Sequence, residues 1–110
     1  MPDYMLSKDS TGSYISMTDG IRRKTLVHGD NTMLCLFKLD KGINLPLHSH
    51  SNEQTGYLIS GKLLFTIGGE KHEVMAGDSW CIKADIEHGA DVIEDTFLIE
   101  VFSPVREDYL

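Results

Sequence analysis

Short apolar-rich segments alternate with turn residues along this chain, at a spacing of roughly ten residues. The predicted turns lie at 28–31, 40–42, 60–61, 68–69, 76–78 and 94–95. No segment keeps an apolar period of 3.6 residues over several turns, so little helix is expected. Many short strands with turns between them predict an all-β protein, either a sandwich or a small barrel.

Composition is consistent with one ordinary globular domain over residues 1–110. The first ten residues are expected to form a loose arm. Apolar residues make up 41% of the chain, and no apolar run is long enough to cross a bilayer. The first residues also lack the basic start and apolar run of a signal peptide. We therefore expect a cytoplasmic protein with no membrane partner.

The charge balance argues against a nucleic-acid partner. The net charge is −7, and Arg22-Arg23-Lys24 is the basic cluster of the sequence. Binding to phosphates needs clustered Lys and Arg, so this short run is interpreted as a solvated strand end or turn. An anionic ligand would have to be attracted by positive charge within its own site, against the field of the whole molecule.

Two cysteines, Cys35 and Cys81, lie far apart in apolar surroundings. We expect both to be buried as small apolar side chains rather than joined in a disulfide. Because the sequence contains no pair of cysteines spaced as C-x-x-C, a structural zinc site built on thiolates is not expected.

The most informative segment is GINLPLHSHSNEQTGYLISG, residues 42–61. On a strand, His48 and His50 project to the same face, and Gln54 joins them if the chain stays extended, whereas Glu53 should face away. His88 follows a later strand and could meet the first pair across a barrel. Three imidazoles and an amide oxygen are a ligand set suited to Fe, Mn, Ni, Cu or Zn.

The alternative is that these histidines are ordinary strand residues, since an H-x-H pair alone is common on exposed strands. Turn residues Gly42, Pro46 and Gly61, which would end strands on each side of the pair, favour the metal site. The other two histidines, His28 and His72, are expected at the surface.

Two motifs resemble those of the cupin family. The first, residues 42–61, has Gly42, His48, His50, Gln54 and Gly61 at the family's spacing, with glutamine where glutamate is usual. The second, residues 77–92, retains Gly77 and His88. It departs from the family pattern at Lys83, Asp85 and Val92, where Pro, Gly and Asn are usual.

This resemblance implies a jelly-roll barrel, the cupin double-stranded β-helix, with a divalent metal (Ni, Zn, Mn or Fe) bound by His48, His50, Gln54 and His88. It also implies a homodimer. A glutamine ligand leaves the metal with its full formal charge, so we expect a stronger Lewis acid that holds its metal less tightly. Replacing Gln54 by Glu should therefore tighten metal retention and weaken anion binding.

The tail LIEVFSPVREDYL supplies further candidate site residues. Glu100 and Phe102 share one face of the last strand, and Arg106 follows Pro104, which should end that strand. A carboxylate, a ring and a guanidinium suit a sugar acid, because Arg binds a carboxylate in a bidentate fork and Glu can move a proton. Alternatively, Arg106 pairs with Glu107 or Asp108, and Glu100 is an exposed strand acid.

The tail also resembles that of small cupins that convert 4,5-unsaturated uronates to linear ketonised sugars, in which an Asp-x-Phe-Ser-Pro-x-Arg stretch follows the metal site. The resemblance implies catalytic roles for Glu100, Phe102 and Arg106, with Glu100 one methylene longer than the family's Asp. The leading hypothesis is a metal-dependent lyase or isomerase acting on a small anionic substrate such as a sugar acid.

Three alternatives remain open at this point: a metal-dependent dioxygenase, a barrel that binds a small anion without chemistry, and a purely structural protein. Oxygen consumption would distinguish the dioxygenase, and unchanged ligand after tight binding would distinguish the binding module. Two aromatic residues, Tyr57 and Trp80, are expected to be core or interface residues rather than platforms for a substrate.

Overall fold

The protein is described here by a computed structural model, which covers residues 3–9 and 12–110. Within these residues it contains β-strands and one short 3₁₀ turn, and no α-helix. The strands are β1 (Ile15–Thr18), β2 (Ile21–His28), β3 (Met33–Leu39), β4 (Asn44–His48), β5 (Glu53–Ile67), β6 (Glu70–Met75), β7 (Ser79–Ile82) and β8 (His88–Ser103), and the 3₁₀ turn is Glu107–Tyr109. The all-β prediction is confirmed.

Two long strands, β5 and β8, pair with each other antiparallel and change their outer partners halfway along. Their ends nearest the candidate tail residues lie between β3 and β7, and their other ends lie between β4 and β6. Each long strand therefore belongs to two layers, β1-β2-β3-β8-β5-β7 and β4-β8-β5-β6. The layers face each other across the core, where the rings of Phe65 and Trp80 meet edge to face at 5.2 Å between centroids. This arrangement is the predicted jelly roll.

The predicted turns at Ser60-Gly61 and Glu94-Asp95 are wrong. Ser60-Gly61 lies inside β5 and Glu94-Asp95 lies inside β8. At these places the pairing register between the two strands shifts and the chain passes from one layer to the other. Gly61 adopts a φ of 105°, which favours glycine, so the strand bends there without ending. The hydroxyl of Thr96 accepts a hydrogen bond from the Lys62 backbone N–H at 3.2 Å, which satisfies a donor that the irregular ladder leaves free.

Alternation of inward and outward side chains builds the core. Residues 53–58 of β5 alternate exposed and buried without interruption, as do residues 98–102 of β8 apart from partial burial at Ile99. Glu53 is exposed, as predicted, while Leu58 and Phe102 are almost completely buried. The outward parity leaves Tyr57 and Val101 at the surface.

The basic cluster is not the solvated strand end or turn that we expected, because it lies within β2. Arg22 is half-exposed and paired with Asp40 at 3.0 Å. Arg23 and Lys24 are buried, Arg23 against the ring of Tyr109. The amine of Lys24 donates a hydrogen bond to the Asp9 carbonyl, so the N-terminal segment covers it. Chain segments remote in sequence thus remove these two cations from solvent.

Other expectations need smaller corrections. Cys35 is buried and Cys81 is exposed on β7, and both are free thiols. Pro46 lies inside β4 rather than at a turn, in the irregular part of that strand's pairing with β8. His28 is half-buried at the end of β2, and His72 is exposed on β6.

The loose arm was predicted for residues 1–10, of which 1, 2 and 10 lie outside the described residues; residues 3–9 are exposed and contain no helix or strand. None of the described helical segments has the length and apolar character needed to traverse a membrane.

Candidate metal centre

Three histidine rings lie together at one end of the barrel. His48 ends β4 and lies opposite His88, the first residue of β8, while His50 follows in the connection to β5. The ring centroids of His48 and His88 are 4.3 Å apart, and those of His50 and His88 are 5.1 Å apart. One nitrogen from each ring can be chosen such that all three lie within 4.8 Å of one another.

Each ring is oriented by a nearby backbone carbonyl. The Nδ1 atoms of His48, His50 and His88 lie 2.9, 2.9 and 2.8 Å from the carbonyl oxygens of residues 46, 52 and 86, respectively. Because a carbonyl can only accept, Nδ1 must carry a proton, so in the neutral form of each ring Nε2 carries the lone pair. This tautomer is the one that leaves Nε2 ready to bind a metal, with the ring held by its second nitrogen.

Gln54 joins the cluster through its amide oxygen. Its Nε2 donates a hydrogen bond to Oε2 of Glu100 at 2.6 Å, which fixes the orientation of the amide. The amide oxygen then lies 2.7 Å from Nε2 of His50. Burial lowers the pKa of His50, and the Arg106 charge lowers it further, while the contacts with Gln54 and Asn52 act in the opposite direction. In the neutral ring two lone-pair atoms face each other, an arrangement that a cation would stabilise.

The donor set fits a divalent transition metal. Nε2 of His88 is buried and has no hydrogen-bond partner among the described residues, and burial also lowers the pKa of this ring. An unpartnered buried nitrogen is costly unless something occupies its lone pair. Three neutral imidazoles and an amide oxygen satisfy the preferences of Ni, Zn, Mn or Fe without choosing among them.

The alternation of side chains along a strand explains this convergence only in part. Residues 49–52 are not in a strand, so Gln54 does not reach the histidines by simple continuation of an extended chain from His48. It reaches them because β5 returns beside the C-terminal end of β8, which places Gln54 opposite Phe102. The four side chains meet through this tertiary pairing.

Glu100 adjoins the histidine cluster and is buried, rather than the exposed strand acid of the alternative. Burial raises its pKa to about 7, although the hydrogen bonds from Trp80 and Gln54 act in the opposite direction. Nε1 of Trp80 donates to the same Oε2 atom at 3.0 Å. A carboxyl group with a pKa near neutrality can both accept and release a proton at physiological pH.

Phe102 and Arg106 lie on the same side of the barrel as Glu100. The guanidinium carbon of Arg106 lies 5.3 Å from the ring centroid of Phe102 and 3.9 Å from that of Tyr109. Arg106 also pairs with Asp108 at 2.9 Å, as the alternative interpretation of the tail allowed. The tail thus places a cation over two rings, with a carboxylate from its own 3₁₀ turn as its partner.

These side chains open on a cavity of about 290 Å³ whose wall is largely apolar. Six of the seven predicted site residues line it: His48, Gln54, His88, Glu100, Phe102 and Arg106. The seventh, His50, does not line the cavity but contacts Gln54, which does.

Trp80 and Tyr109 also line this wall and contact predicted site residues, but neither was predicted to belong to the site. Trp80 is a core residue, as expected, but it also donates a hydrogen bond to Glu100. One signal was available: Gly56 is an isolated glycine in a strand, which often marks the close approach of another group. Tyr109 gave no such signal, because its ring contacts Arg23 and Phe37, which are remote in sequence, as well as the nearby Arg106.

Comparison with known proteins agrees with the observed fold. Residues 35–102 match the model of the cupin domain family. The chain belongs to the cupin family. Among curated proteins, this cupin is similar to the pectin degradation protein KdgF of Dickeya dadantii (strain 3937), with 31% identity over 104 residues that cover 93% of this chain and 94% of the relative.

Solved cupin structures superpose on nearly the whole molecule. KdgF from Halomonas sp. has a TM-score of 0.91 and 29% identity, covering 97% of this cupin and 99% of that chain. An RmlC-like cupin from Shewanella frigidimarina NCIMB 400 has a TM-score of 0.92 and 27% identity, covering 97% and 96%. The similarity therefore includes the layers, the barrel end and the tail.

Proposed function

We propose that this cupin is a metal-dependent enzyme that opens the ring of 4,5-unsaturated uronates to give linear keto sugars. The observation that carries the proposal is the contact of Gln54 with both His50 and Glu100, which joins the candidate metal ligands to a buried carboxyl group. The similarity to KdgF, named as a pectin degradation protein, supports the same substrate class, since pectin is a polymer of uronic acids.

His48, His50, His88 and Gln54 would hold the divalent ion. When bound, the ion supplies a Lewis acid that polarises an oxygen of the substrate. The Nδ1–H groups of the three histidines are already held by backbone carbonyls, so their Nε2 atoms need little reorganisation to bind the ion.

The remaining residues bind the substrate and move its proton. Arg106 would exchange Asp108 for the uronate carboxylate, to which a guanidinium can form two parallel hydrogen bonds. Phe102 would pack against the sugar ring. Glu100 would take the proton of the C1 hydroxyl as the C1–O5 bond breaks and the C5 ketone forms, and would return that proton to C4. Reactant and product are isomers, so no oxidant or further reactant is needed.

The test is loss of the conjugated enol ether, followed by ultraviolet absorbance, when an unsaturated monomeric uronate is mixed with metal-loaded enzyme under anaerobic conditions. We expect turnover without oxygen and a linear keto product identified by mass spectrometry and NMR. Replacing Glu100 by Gln keeps the shape of the side chain and should lower kcat by roughly 10²- to 10⁴-fold while metal content is retained.

Three other results would count against the proposal. Dependence on oxygen would indicate a dioxygenase. Tight binding of the uronate in calorimetry, with unchanged ligand after hours, would indicate a binding module. Full activity of the Glu100→Gln variant would remove the assigned role of this carboxyl group.

A further inference from the structure

Trp80 lies on β7 behind the candidate catalytic carboxyl group, and it is the single tryptophan of the chain. We propose that Trp80 is a positioning residue that fixes one oxygen of Glu100 so that the other oxygen faces the cavity. This inference deepens the proposed function and rests on it for the role of Glu100, but the contact itself can be tested without any substrate.

The two oxygens of Glu100 have different surroundings. Oε2 accepts hydrogen bonds from Nε1 of Trp80 at 3.0 Å and from Nε2 of Gln54 at 2.6 Å. Oε1 accepts no hydrogen bond from the described part of the chain. It is not completely buried either, because the completely buried polar atoms that lack a partner do not include it. Since Glu100 lines the cavity, Oε1 is the oxygen that remains accessible there.

The two donors differ in what else they do. Gln54 also belongs to the candidate metal site, so its amide would move with any change at the metal. Trp80 has no such second role, and its large indole is held rigidly in the core. Among the described residues, the indole N–H is therefore the hydrogen-bond donor that ties the carboxyl group to the protein independently of the metal ligands.

The core is shaped to accept this indole. A Cβ atom on Gly56 would collide with the indole ring, so β5 has a glycine where the ring crosses it. On its other side the ring meets Phe65 edge to face at 5.2 Å between centroids. Trp80 is 9% exposed, which leaves the indole little room to choose another position.

Such anchoring matters because a glutamate side chain has three rotatable bonds. Without a fixed Oε2, the carboxyl group could shift toward or away from the reacting atoms. A displacement of about 1 Å at a reacting group can lower a rate by roughly 10²-fold. The indole N–H restrains the carboxyl group to one orientation.

The first experiment replaces Trp80 by Phe, which removes the N–H donor and retains an aromatic ring against Gly56 and Phe65. We expect kcat on an unsaturated uronate to fall by about 10- to 100-fold, with KM within about twofold and metal content unchanged. The matched control is Cys81→Ala, the next residue of β7, whose side chain is exposed on the opposite face. It should retain wild-type kcat.

A mutant cycle distinguishes positioning from general stability. If Trp80 acts through Glu100, adding Trp80→Phe to the Glu100→Gln variant should cause no further loss of kcat. Independent losses that multiply would overturn the proposal, as would wild-type kcat in a folded, metal-loaded Trp80→Phe variant.

The second experiment does not need a substrate or a stable Trp80 variant. With one tryptophan, the ¹H–¹⁵N spectrum of the wild type contains one indole cross-peak, which reports directly on the Nε1–H group. At a pH well above 7, where the Glu100 carboxyl group is ionised, Glu100→Gln replaces a charged acceptor by a neutral one, so the indole proton should move upfield. Glu53→Gln, on the outward face of β5, should leave it in place.

The two experiments separate failure of the inference from failure of the proposed function. If the wild type does not convert unsaturated uronates, the proposed function is wrong, and the indole shift alone decides the contact. If the indole resonance is the same in wild type and Glu100→Gln, Trp80 does not hold Glu100 and the inference is wrong.

Discussion

At the scale of single residues, the candidate metal centre is prepared by short local contacts. Each imidazole donates its Nδ1 proton to a carbonyl two residues away in sequence, so its tautomer is set by its own segment. Gln54 is different, because its orientation depends on Glu100, which is 46 residues away. The centre thus combines locally fixed ligands with one ligand fixed across the fold.

The first prediction concerns metal retention. His50→Ala should lower the metal content of protein purified without added metal by at least about tenfold. Removing a group that merely hydrogen-bonds to a metal ligand can lower metal affinity by roughly 10- to 100-fold, and removing a ligand itself should cost at least as much. Elemental analysis measures this. His72→Ala is the control, since His72 is exposed on β6 and outside the cluster. Equal metal content in both variants would contradict the assigned ligand set.

The second prediction concerns the glutamine ligand. Gln54→Glu should tighten metal retention, because the new ligand is charged, and should weaken binding of an anionic ligand. It also replaces the N–H donor that now lies 2.6 Å from Glu100, so two carboxyl groups would have to share a proton. Calorimetric titration with a uronate, with Glu53→Gln as control, measures the change. Tighter anion binding in Gln54→Glu would refute this electrostatic explanation.

At the scale of elements, the two long strands bring the site together. β8 begins with His88 and carries Glu100 and Phe102 near its other end, and β5 contributes Gln54. The bend near Gly61 lets one strand serve both layers. The 3₁₀ turn after β8 then places Tyr109 under Arg106 and is tied to β2 by a hydrogen bond from the Thr25 hydroxyl to the Tyr109 carbonyl at 2.9 Å.

The third prediction concerns this turn. Asp108→Asn removes the carboxylate that pairs with Arg106, so an anionic substrate no longer has to displace it. Because Asp108 is largely exposed, the ion pair is worth at most about 1 kcal/mol, and the Kd for a uronate should fall by about two- to fivefold. Glu107→Gln changes the charge equally without breaking that pair. An equal effect of both variants would show that general charge, rather than the Arg106 pair, controls affinity.

At the scale of the whole molecule, the net charge and one apolar surface bear on what this cupin binds. A net charge of −7 repels anions, so an anionic substrate depends on Arg106 and the candidate metal for attraction. The outer surface of the β3-β8-β5 layer is also apolar. Leu36, Ile99 and Tyr57 lie side by side across three strands, beside a second row that contains Leu34 and Val101. Tyr57 and Val101 are exposed, and the other three are half-buried. A contiguous, partly exposed apolar surface of this kind is typical of a protein interface.

The fourth prediction assigns this surface to the expected homodimer. Light scattering coupled to size-exclusion chromatography should give twice the chain mass for the wild type. Tyr57→Glu should shift the equilibrium to the monomer, whereas Met75→Glu, on β6, should not. The two side chains are matched in exposure, at 43% and 44%. A wild-type monomer, or a Tyr57→Glu variant that remains dimeric, would contradict this assignment.

Sequence patterns predicted the strands well and their ends less well. Glycine and acidic residues at 60–61 and 94–95 indicated turns, but a strand can bend at such residues and continue when a partner on each side supplies its hydrogen bonds. Likewise, Arg23 and Lys24 were wrongly predicted to be solvated. Their burial depends on Tyr109 and Asp9, which contact them only in the folded chain.

The sequence by itself determined the all-β class, the placement of Glu100 and Phe102 on one face of their strand, and the histidine and glutamine spacing, because alternation and turn preference act between near neighbours. Only the tertiary structure decided that Gln54 meets Glu100, that Trp80 holds the same oxygen, and that Arg23 packs against Tyr109. These contacts depend on which strands become neighbours and in what register, and that is set by burial of the whole core rather than by any single segment.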